Sequence, residues 1–158
     1  MIEKVFIIAE IGMNHDGSIG QAKAFADGAA ECGVDAVKFQ THIFDAESLP
    51  YAPAPKYFTA ESRKSFFERT SFTQSQWQDL KSHVESKGIT FISSPFSIEA
   101  IELLERITVQ MYKVPSGEVT NLPYLQVMAR TGKPILLSTG MSSFEQIDRV
   151  VNIFEKKG

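Results

Sequence analysis

The chain has 158 residues, of which 43% are hydrophobic and 22% are charged, with a formal net charge of −3. This composition suffices for one globular domain and offers no basic surface for nucleic acid. Its single cysteine, Cys32, excludes a multi-cysteine zinc site and fits a reducing cytoplasm. The first apolar run, residues 5–8, is too short for a signal peptide or a membrane span, so we expect a soluble, cytosolic protein without membrane partners.

The first part of the chain alternates apolar runs with an amphipathic stretch. Residues 5–9 predict a strand buried on both faces, and polar residues begin at Glu10, where this strand is expected to end. Residues 19–32 predict a helix, because small and apolar side chains recur at three- and four-residue spacing. Residues 34–39 predict a second strand that carries Lys38 near its end.

Residues 41–71 interrupt this alternation. The segment holds several prolines with aromatic residues between and after them, and then a short amphipathic piece: Pro50, Pro53, Pro55, Tyr51, Tyr57, Phe58 and residues 65–69. A loop of this length is either a lid or partner surface, or an excursion packed over the end of the domain, and the sequence leaves both interpretations open. Thr73 is a good N-cap for a helix that runs to about residue 87.

Three compact strand and helix units complete the chain. The predicted strands are residues 89–92, 109–114 and 135–137, and the helices after them begin at Ser97, at Thr120 or Asn121, and near Ser143. Five successive units of this kind predict a parallel α/β sheet with right-handed crossovers, which is either a closed barrel or an open doubly wound sheet.

The strand at residues 109–114 is followed by a cluster suited to a ligand. It combines a cation, a hydroxyl, a glycine and a carboxylate: Lys113, Ser116, Gly117 and Glu118. The lysine can pair with an anion, and the hydroxyl and nearby backbone N–H groups can donate to the same oxygens. An ordinary βα turn uses the same residue types, but the other four strand ends are similarly polar.

Two observations favour a (β/α)8 TIM barrel over the open sheet. No dinucleotide-binding or P-loop glycine fingerprint follows any predicted strand. Polar residues instead recur at the carboxyl ends of all the strands, where a TIM barrel gathers its active site. Because a complete barrel takes roughly 250 residues, we predict that this chain carries its first five βα units.

Five motifs stand in order at the predicted strand ends: residues 9–17 (AEIGMNHDG), 37–40 (VKFQ), 94–97 (SPFS), 112–118 (YKVPSGE) and 137–141 (LSTGM). Together they resemble the sialic acid synthase family, which comprises N-acetylneuraminate synthases and their legionaminate and pseudaminate relatives. Enzymes of that family condense phosphoenolpyruvate with an N-acetylated amino sugar and release phosphate. The resemblance runs from about residue 5 to residue 141 and is weakest in the proline-rich loop.

The resemblance implies roles for residues at matching positions. Glu10 matches a carboxylate near the reacting sugar, and Gln40 matches a polar contact to the sugar. The positions that match phosphoenolpyruvate contacts are cations and hydroxyls: Lys38, Lys113, Ser94, Ser116 and Ser138. Among these residues we expect Glu10 and Lys113 to be catalytic, and we assign Asn14 of the first motif to substrate binding. From the residues alone, Glu10 fits an ordinary structural contact or ion pair better than catalysis, and the lysines could also be ordinary strand-end charges, although their shared location argues against that.

The resemblance also implies parts that lie beyond Gly158. The family's manganese or magnesium ion is held by histidines on later barrel strands, so we expect no metal ligand here and interpret His15 as structural. The C-terminal antifreeze-like domain, which reaches across a dimer, is expected outside the chain as well. We therefore expect residues 1–158 to be the N-terminal portion of a synthase barrel, inactive alone and prone to self-association, for example as a homodimer.

Two alternatives remain open. A class I aldolase barrel would use Lys113 or Lys38 as a Schiff-base lysine. A non-catalytic half-barrel would act as a binding or assembly module. Neither the acylated sugar nor the preferred metal can be predicted from these residues.

Overall fold

The computed structural model describes residues 5–53 and 61–155. Its strands form one parallel sheet in the order β1-β2-β3-β4-β5: β1 (Ile8–Gly12), β2 (Ala36–Thr41), β3 (Thr90–Pro95), β4 (Tyr112–Val114) and β5 (Ile135–Leu137). The helices are α1 (Ile19–Glu31), α2 (Phe44–Glu47), α3 (Arg63–Thr70), α4 (Gln74–Ser86), α5 (Ile98–Arg106), α6 (Leu122–Ala129) and α7 (Phe144–Glu155). Each strand lies beside the next one in sequence, whereas a doubly wound sheet reverses direction at a switch point. The predicted succession of βα units is confirmed.

Side-chain caps begin several of the helices. Ser18, Ser97 and Asn121 each accept a hydrogen bond from the backbone N–H three residues ahead. Thr73 does the same and forms a complete capping box with Gln76. The starts predicted at Thr73 and Ser97 are confirmed, and Asn121 rather than Thr120 begins α6.

The hydrophobic core lies between the sheet and the helices. Alternate strand residues face it, and they include the large buried side chains Phe39, Phe91 and Tyr112. Trp77 and Leu80 of α4 pack on the same cluster. Because side chains alternate along a strand, the residues between these core positions point to the opposite face of the sheet.

The predicted strand at residues 5–9 is wrong in position, because β1 is Ile8–Gly12. Val5, Phe6 and Ile7 are exposed, with 73%, 53% and 51% of their surface accessible. Within the described residues β1 pairs only with β2, so it is an edge strand. No other described strand covers the apolar residues that precede it. Glu10 therefore lies inside the strand rather than beyond its end.

Three other predicted strands also need new bounds. β2 and β3 continue beyond the apolar runs to Thr41 and Pro95, while β4 begins only at Tyr112. A continuous apolar run marks residues buried on both faces, whereas the backbone ladder extends into residues whose side chains are polar. The fifth strand has the predicted bounds.

The described part of the long loop packs against the domain. Arg69 of α3 forms ion pairs with Glu61 and with Asp16 in the loop between β1 and α1. A Cβ atom at Gly17, which has a φ of +83°, would lie 2.3 Å from the Arg69 carbonyl oxygen. Residues 61–71 therefore follow the packed-excursion interpretation. Pro55, Tyr57 and Phe58 lie outside the described residues.

None of the helices formed by the described residues combines the length and hydrophobicity that crossing a bilayer requires.

The close contact at Gly17 generates a stability prediction. Gly17→Ala should lower the free energy of unfolding by at least ~1 kcal/mol, because a Cβ atom meets a backbone oxygen and the φ angle is left-handed. The matched control Gly28→Ala lies in α1 with open space around its Cβ position and should raise that free energy by about 0.5–1 kcal/mol. Urea unfolding measures both, and equal effects would contradict the described docking of α3.

Candidate functional site

The register of the sheet gathers the predicted polar residues on one face. Glu10 of β1 pairs with Lys38 of β2, and Gln40 pairs with Ser94 of β3. Ser93 pairs with Tyr112 on the core side, so the following residue of each strand, Ser94 or Lys113, points away from the core. The sheet thus places side chains from four strands on the face opposite the helices.

Lys38 is the centre of this face. Its Nζ lies 2.5 Å from Glu10 Oε2 and donates to Ser94 Oγ at 3.2 Å. Only 12% of the Lys38 side chain is exposed, whereas half of the Glu10 side chain is. One cation therefore joins a carboxylate and a hydroxyl from the two neighbouring strands, and three predicted site residues are in direct contact.

Lys113 places a second cation near this group. Its Nζ donates to the Val114 carbonyl at 2.8 Å. Burial lowers the pKa of Lys113, the positive charge of Lys38 lowers it further, and Glu10 partly offsets both effects. The two lysines are close enough to repel each other, so an anion bound between them would relieve the repulsion.

Gly12 allows Glu10 and Gln40 to approach each other. Its φ is +57°, and a Cβ atom there would lie 3.2 Å from Glu10 Oε1 and 3.7 Å from Gln40 Nε2. The pairing of β1 with β2 shifts between Glu10 and Gly12. The glycine at the end of β1 therefore leaves space into which a carboxylate and an amide both point.

The remaining predicted residues lie at strand ends but outside this contact group. Ser116 begins a 3-10 turn after β4, and the Ser138 backbone N–H donates to the Val114 carbonyl at 3.0 Å. The Asn14 side chain donates to the Ile11 carbonyl at 2.8 Å, which shapes the loop after β1. No hydrogen bond among the described residues joins these three side chains to either lysine.

His42 is a neighbour of the site to which the sequence pattern assigned no role. Its Nδ1 lies 2.9 Å from the Glu47 carboxylate, and its Nε2 lies 3.3 Å from Gln40 Oε1. Its ring is stacked with those of Phe67 and Phe96. The one available signal was the two-residue spacing from Gln40, which places both side chains on the same face of an extended chain.

His15 is a core residue. It is fully buried beside Phe39, Phe72 and Trp77, and its Nδ1 accepts a hydrogen bond from the Gly17 N–H. Burial lowers the pKa of His15 to about 4, so its ring is neutral at pH 7. These contacts support the structural interpretation.

The donor set of the site does not suit a metal ion. Across residues 5–53 and 61–155, no group of three or more His, Cys, Asp and Glu side chains is arranged to hold one. The polar face instead carries two lysines, whose charges would oppose a bound cation.

Comparison with known proteins identifies relatives of the chain. The model of the NeuB family matches residues 25–158. N,N'-diacetyllegionaminic acid synthase of Campylobacter jejuni is 37% identical over 164 residues, covering 99% of this chain and 48% of that protein. N-acetylneuraminate-9-phosphate synthase of Mus musculus is 35% identical over 152 residues, covering 94% of this chain and 42% of that protein. The chain spans about half the length of the curated relatives it matches.

Comparison with a solved structure supports the predicted fold. The N-acetylneuraminic acid synthetase from Leptospira borgpetersenii, determined in complex with citrate, superimposes with a TM-score of 0.81 at 30% identity. The match covers 98% of this chain and 51% of that chain. Such relatives are TIM-barrel-type enzymes, so the predicted fold, five βα units of a (β/α)8 barrel, is confirmed.

The proximity of the two lysines generates a prediction about proton binding. Lys38→Met should raise the pKa of Lys113 towards 10.5, because it removes a repelling charge and leaves Glu10 to act on Lys113 alone. Lys87→Met, which removes a cation bound to Asp27 on the helix layer, should leave that pKa unchanged. An NMR titration of the Lys113 ε-carbon measures both, and an unchanged pKa in Lys38→Met would contradict the described cluster.

Proposed function

The chain belongs to the NeuB family, and on this premise we propose that it forms the N-terminal part of a barrel that makes a nonulosonic acid. The reaction is the condensation of phosphoenolpyruvate with an N-acetylated amino sugar, such as an N-acetylmannosamine-like hexosamine, with release of phosphate. The observation that carries the proposal is the contact of Lys38 with Glu10 and Ser94, beside a second lysine.

The charges of this face suit phosphoenolpyruvate. That substrate carries a phosphate and a carboxylate, and Lys38 and Lys113 supply two cations on adjacent parts of one surface. Ser94 contributes a hydroxyl already bonded to Lys38. Ser116 and Ser138 lie at the ends of β4 and β5, from which their hydroxyls can complete the set of donors.

The proposed step forms one carbon–carbon bond and replaces the bond from C2 to the phosphate oxygen with a bond from C2 to a water oxygen. The C3 carbon of phosphoenolpyruvate attacks the aldehyde carbon of the open-chain sugar, and the aldehyde oxygen takes up a proton. Water adds to the cationic C2 and loses a proton, and the C2–O bond to phosphate then breaks. Phosphate leaves with its bridging oxygen, and the remaining C2 hydroxyl loses its proton to become the ketone carbonyl. Glu10 handles a proton on the sugar side, because its carboxylate is half exposed and shares the space over Gly12 with Gln40.

The resemblance implies a manganese or magnesium ion, but the part of the step assigned to the described residues does not use one. Their side chains do not form a metal site. Any such ion in the complete protein would take its ligands from elsewhere. We accordingly propose that the chain alone binds the anion but lacks the complete reaction.

A Schiff-base aldolase is the second candidate, and the lowered pKa of Lys113 favours it, because imine formation needs an uncharged amine. Borohydride reduction in the presence of pyruvate distinguishes the two mechanisms. A covalent adduct on Lys113 would support the aldolase, whereas the synthase leaves the lysine unmodified.

We also propose that the chain self-associates or orders against a partner chain. Among the described residues, β1 and β5 are the two edges of the sheet, and each pairs on one side only. Val5 and Phe6 are exposed at the first edge, and Met141 and Phe144 are 74% and 88% exposed after β5. Unpaired edges and apolar side chains of this kind favour association.

Sedimentation velocity tests this association directly. The chain should sediment as a dimer or larger species at micromolar concentration, and Phe6→Glu together with Phe144→Glu should shift it towards the monomer. The control Gln126→Glu introduces a negative charge at an exposed position of α6. A compact, stable monomer at every concentration would contradict the proposal.

Phosphate release tests the reaction. The complete protein that carries this chain should release phosphate from phosphoenolpyruvate with manganese and one member of a panel of N-acetylated hexosamines, while the chain alone should not. Lys38→Met and Lys113→Met should each lower kcat/KM for phosphoenolpyruvate by about ten- to a hundredfold, the loss of one charge-assisted contact. Lys87→Met serves as the control. No release with any sugar would contradict the proposed function.

A further inference from the structure

We propose that His42 is a positioning residue that sets which end of the Gln40 amide faces the substrate. The inference rests on the proposed function, in which Gln40 contacts the sugar. Three sets of contacts carry it: the rings that hold the imidazole plane, the carboxylate that holds its Nδ1 edge, and the amide that meets its Nε2 edge.

Aromatic rings clamp the imidazole plane. The Phe67 ring of α3 lies with its centroid 4.2 Å from that of His42 and its plane tilted by 10°. The Phe96 ring, which follows β3, lies 3.9 Å away with a tilt of 19°. Because two parallel rings cannot occupy the same side at these distances, they cover opposite faces. The imidazole can therefore neither tilt nor swing out of its plane.

A buried carboxylate fixes the rotation of the ring within that plane. Both carboxylate oxygens of Glu47 lie 2.9 Å from His42 Nδ1. The side chains of His42 and Glu47 are only 8% and 5% exposed, so water competes weakly for this contact. Since a carboxylate only accepts hydrogen bonds, Nδ1 carries a proton and donates it. Nε2 is thereby aimed at Gln40.

The contact at Nε2 selects one orientation of the amide. Gln40 Oε1 lies 3.3 Å from Nε2, and an amide oxygen only accepts, so Nε2 is the donor in this contact. With its oxygen held, Gln40 directs its NH2 group towards Gly12 and Glu10. A ring without the Nε2 proton would instead accept from the NH2 group, and the amide oxygen would face the site.

The carboxylate of Glu47 and the amide of Gln40 thus meet the two nitrogen-bearing edges of the clamped ring. The site therefore presents an N–H donor to the sugar, which suits a hydroxyl or acetamido oxygen.

Steady-state kinetics on the complete protein test this role. His42→Phe keeps a flat ring between Phe67 and Phe96 but removes both nitrogens, so KM for the sugar should rise about three- to tenfold, the loss of one oriented hydrogen bond. KM for phosphoenolpyruvate should not change. The control His83→Phe removes another carboxylate-bound histidine, which lies 2.8 Å from Asp27 between α1 and α4, and should change neither value. An equal rise in both KM values would overturn the proposal.

A second variant covers a failure of His42→Phe to fold. Glu47→Gln keeps the volume of the side chain but weakens the hold on Nδ1, and it should raise the sugar KM in the same direction. An unchanged sugar KM in a folded Glu47→Gln protein, together with the same result for any folded His42→Phe protein, would overturn the role.

Nitrogen NMR on the chain itself separates this inference from the proposed function, because it needs no activity. The Nε2 proton of His42 should show a hydrogen bond to the Gln40 side-chain oxygen, and the Gln40 NH2 signals should move in His42→Phe but not in His83→Phe. An unprotonated Nε2, or Gln40 signals indifferent to His42, would overturn the positioning role. If the complete protein releases no phosphate with any sugar while the NMR signals of Gln40 depend on His42, the proposed function is contradicted and the positioning of Gln40 by His42 is supported.

Discussion

The candidate site depends on one constraint, the placement of a nearly buried cation among side chains of adjacent strands. Lys38 could not remain on the sheet without partners, because burying an unpaired ammonium group is costly. Glu10 from one neighbouring strand and Ser94 from the other supply them. Lys113 adds a second positive charge, so the two lysines exceed what the Glu10 carboxylate neutralises. Burial and the repulsion from Lys38 lower the pKa of Lys113. Such a surface has a physical reason to bind a multiply charged anion, and the proposed reaction uses one.

The fold produces this surface through register and periodicity. Each of the five strands lies beside its neighbour in sequence, so the carboxyl ends of β1 to β5 follow one another along a single edge. Side chains alternate, and the aromatic positions Phe39, Phe91 and Tyr112 pack on the helices while the polar positions between them meet on the other face. Gly12 then lets Glu10 and Gln40 share one space. The same polar face thus holds both the lysines proposed to bind the anion and the groups proposed to contact the sugar.

Local patterns predicted much of this arrangement, and contacts between distant segments explain the rest. The caps at Thr73 and Ser97 and the bounds of β5 could be predicted because they depend on neighbouring residues. The exposure of Val5, Phe6 and Ile7 could not, since an apolar run does not reveal whether another element covers it. The contact of Glu10, Lys38 and Ser94 agrees with the strand-end motifs. The role of His42 escaped prediction because its ring is held by Phe67 and Phe96, from separate parts of the chain.

The most direct test of the account is whether phosphoenolpyruvate binds to the lysine face of this chain. Titration of the isotope-labelled chain with phosphoenolpyruvate, followed by NMR, should move the signals of Lys38, Ser94 and Lys113 most and should raise the pKa of Lys113 as the anion offsets the repulsion from Lys38. Absence of binding, or shifts confined to the helix layer around Asp27 and Lys87, would contradict the claim that these strand ends form an anion site.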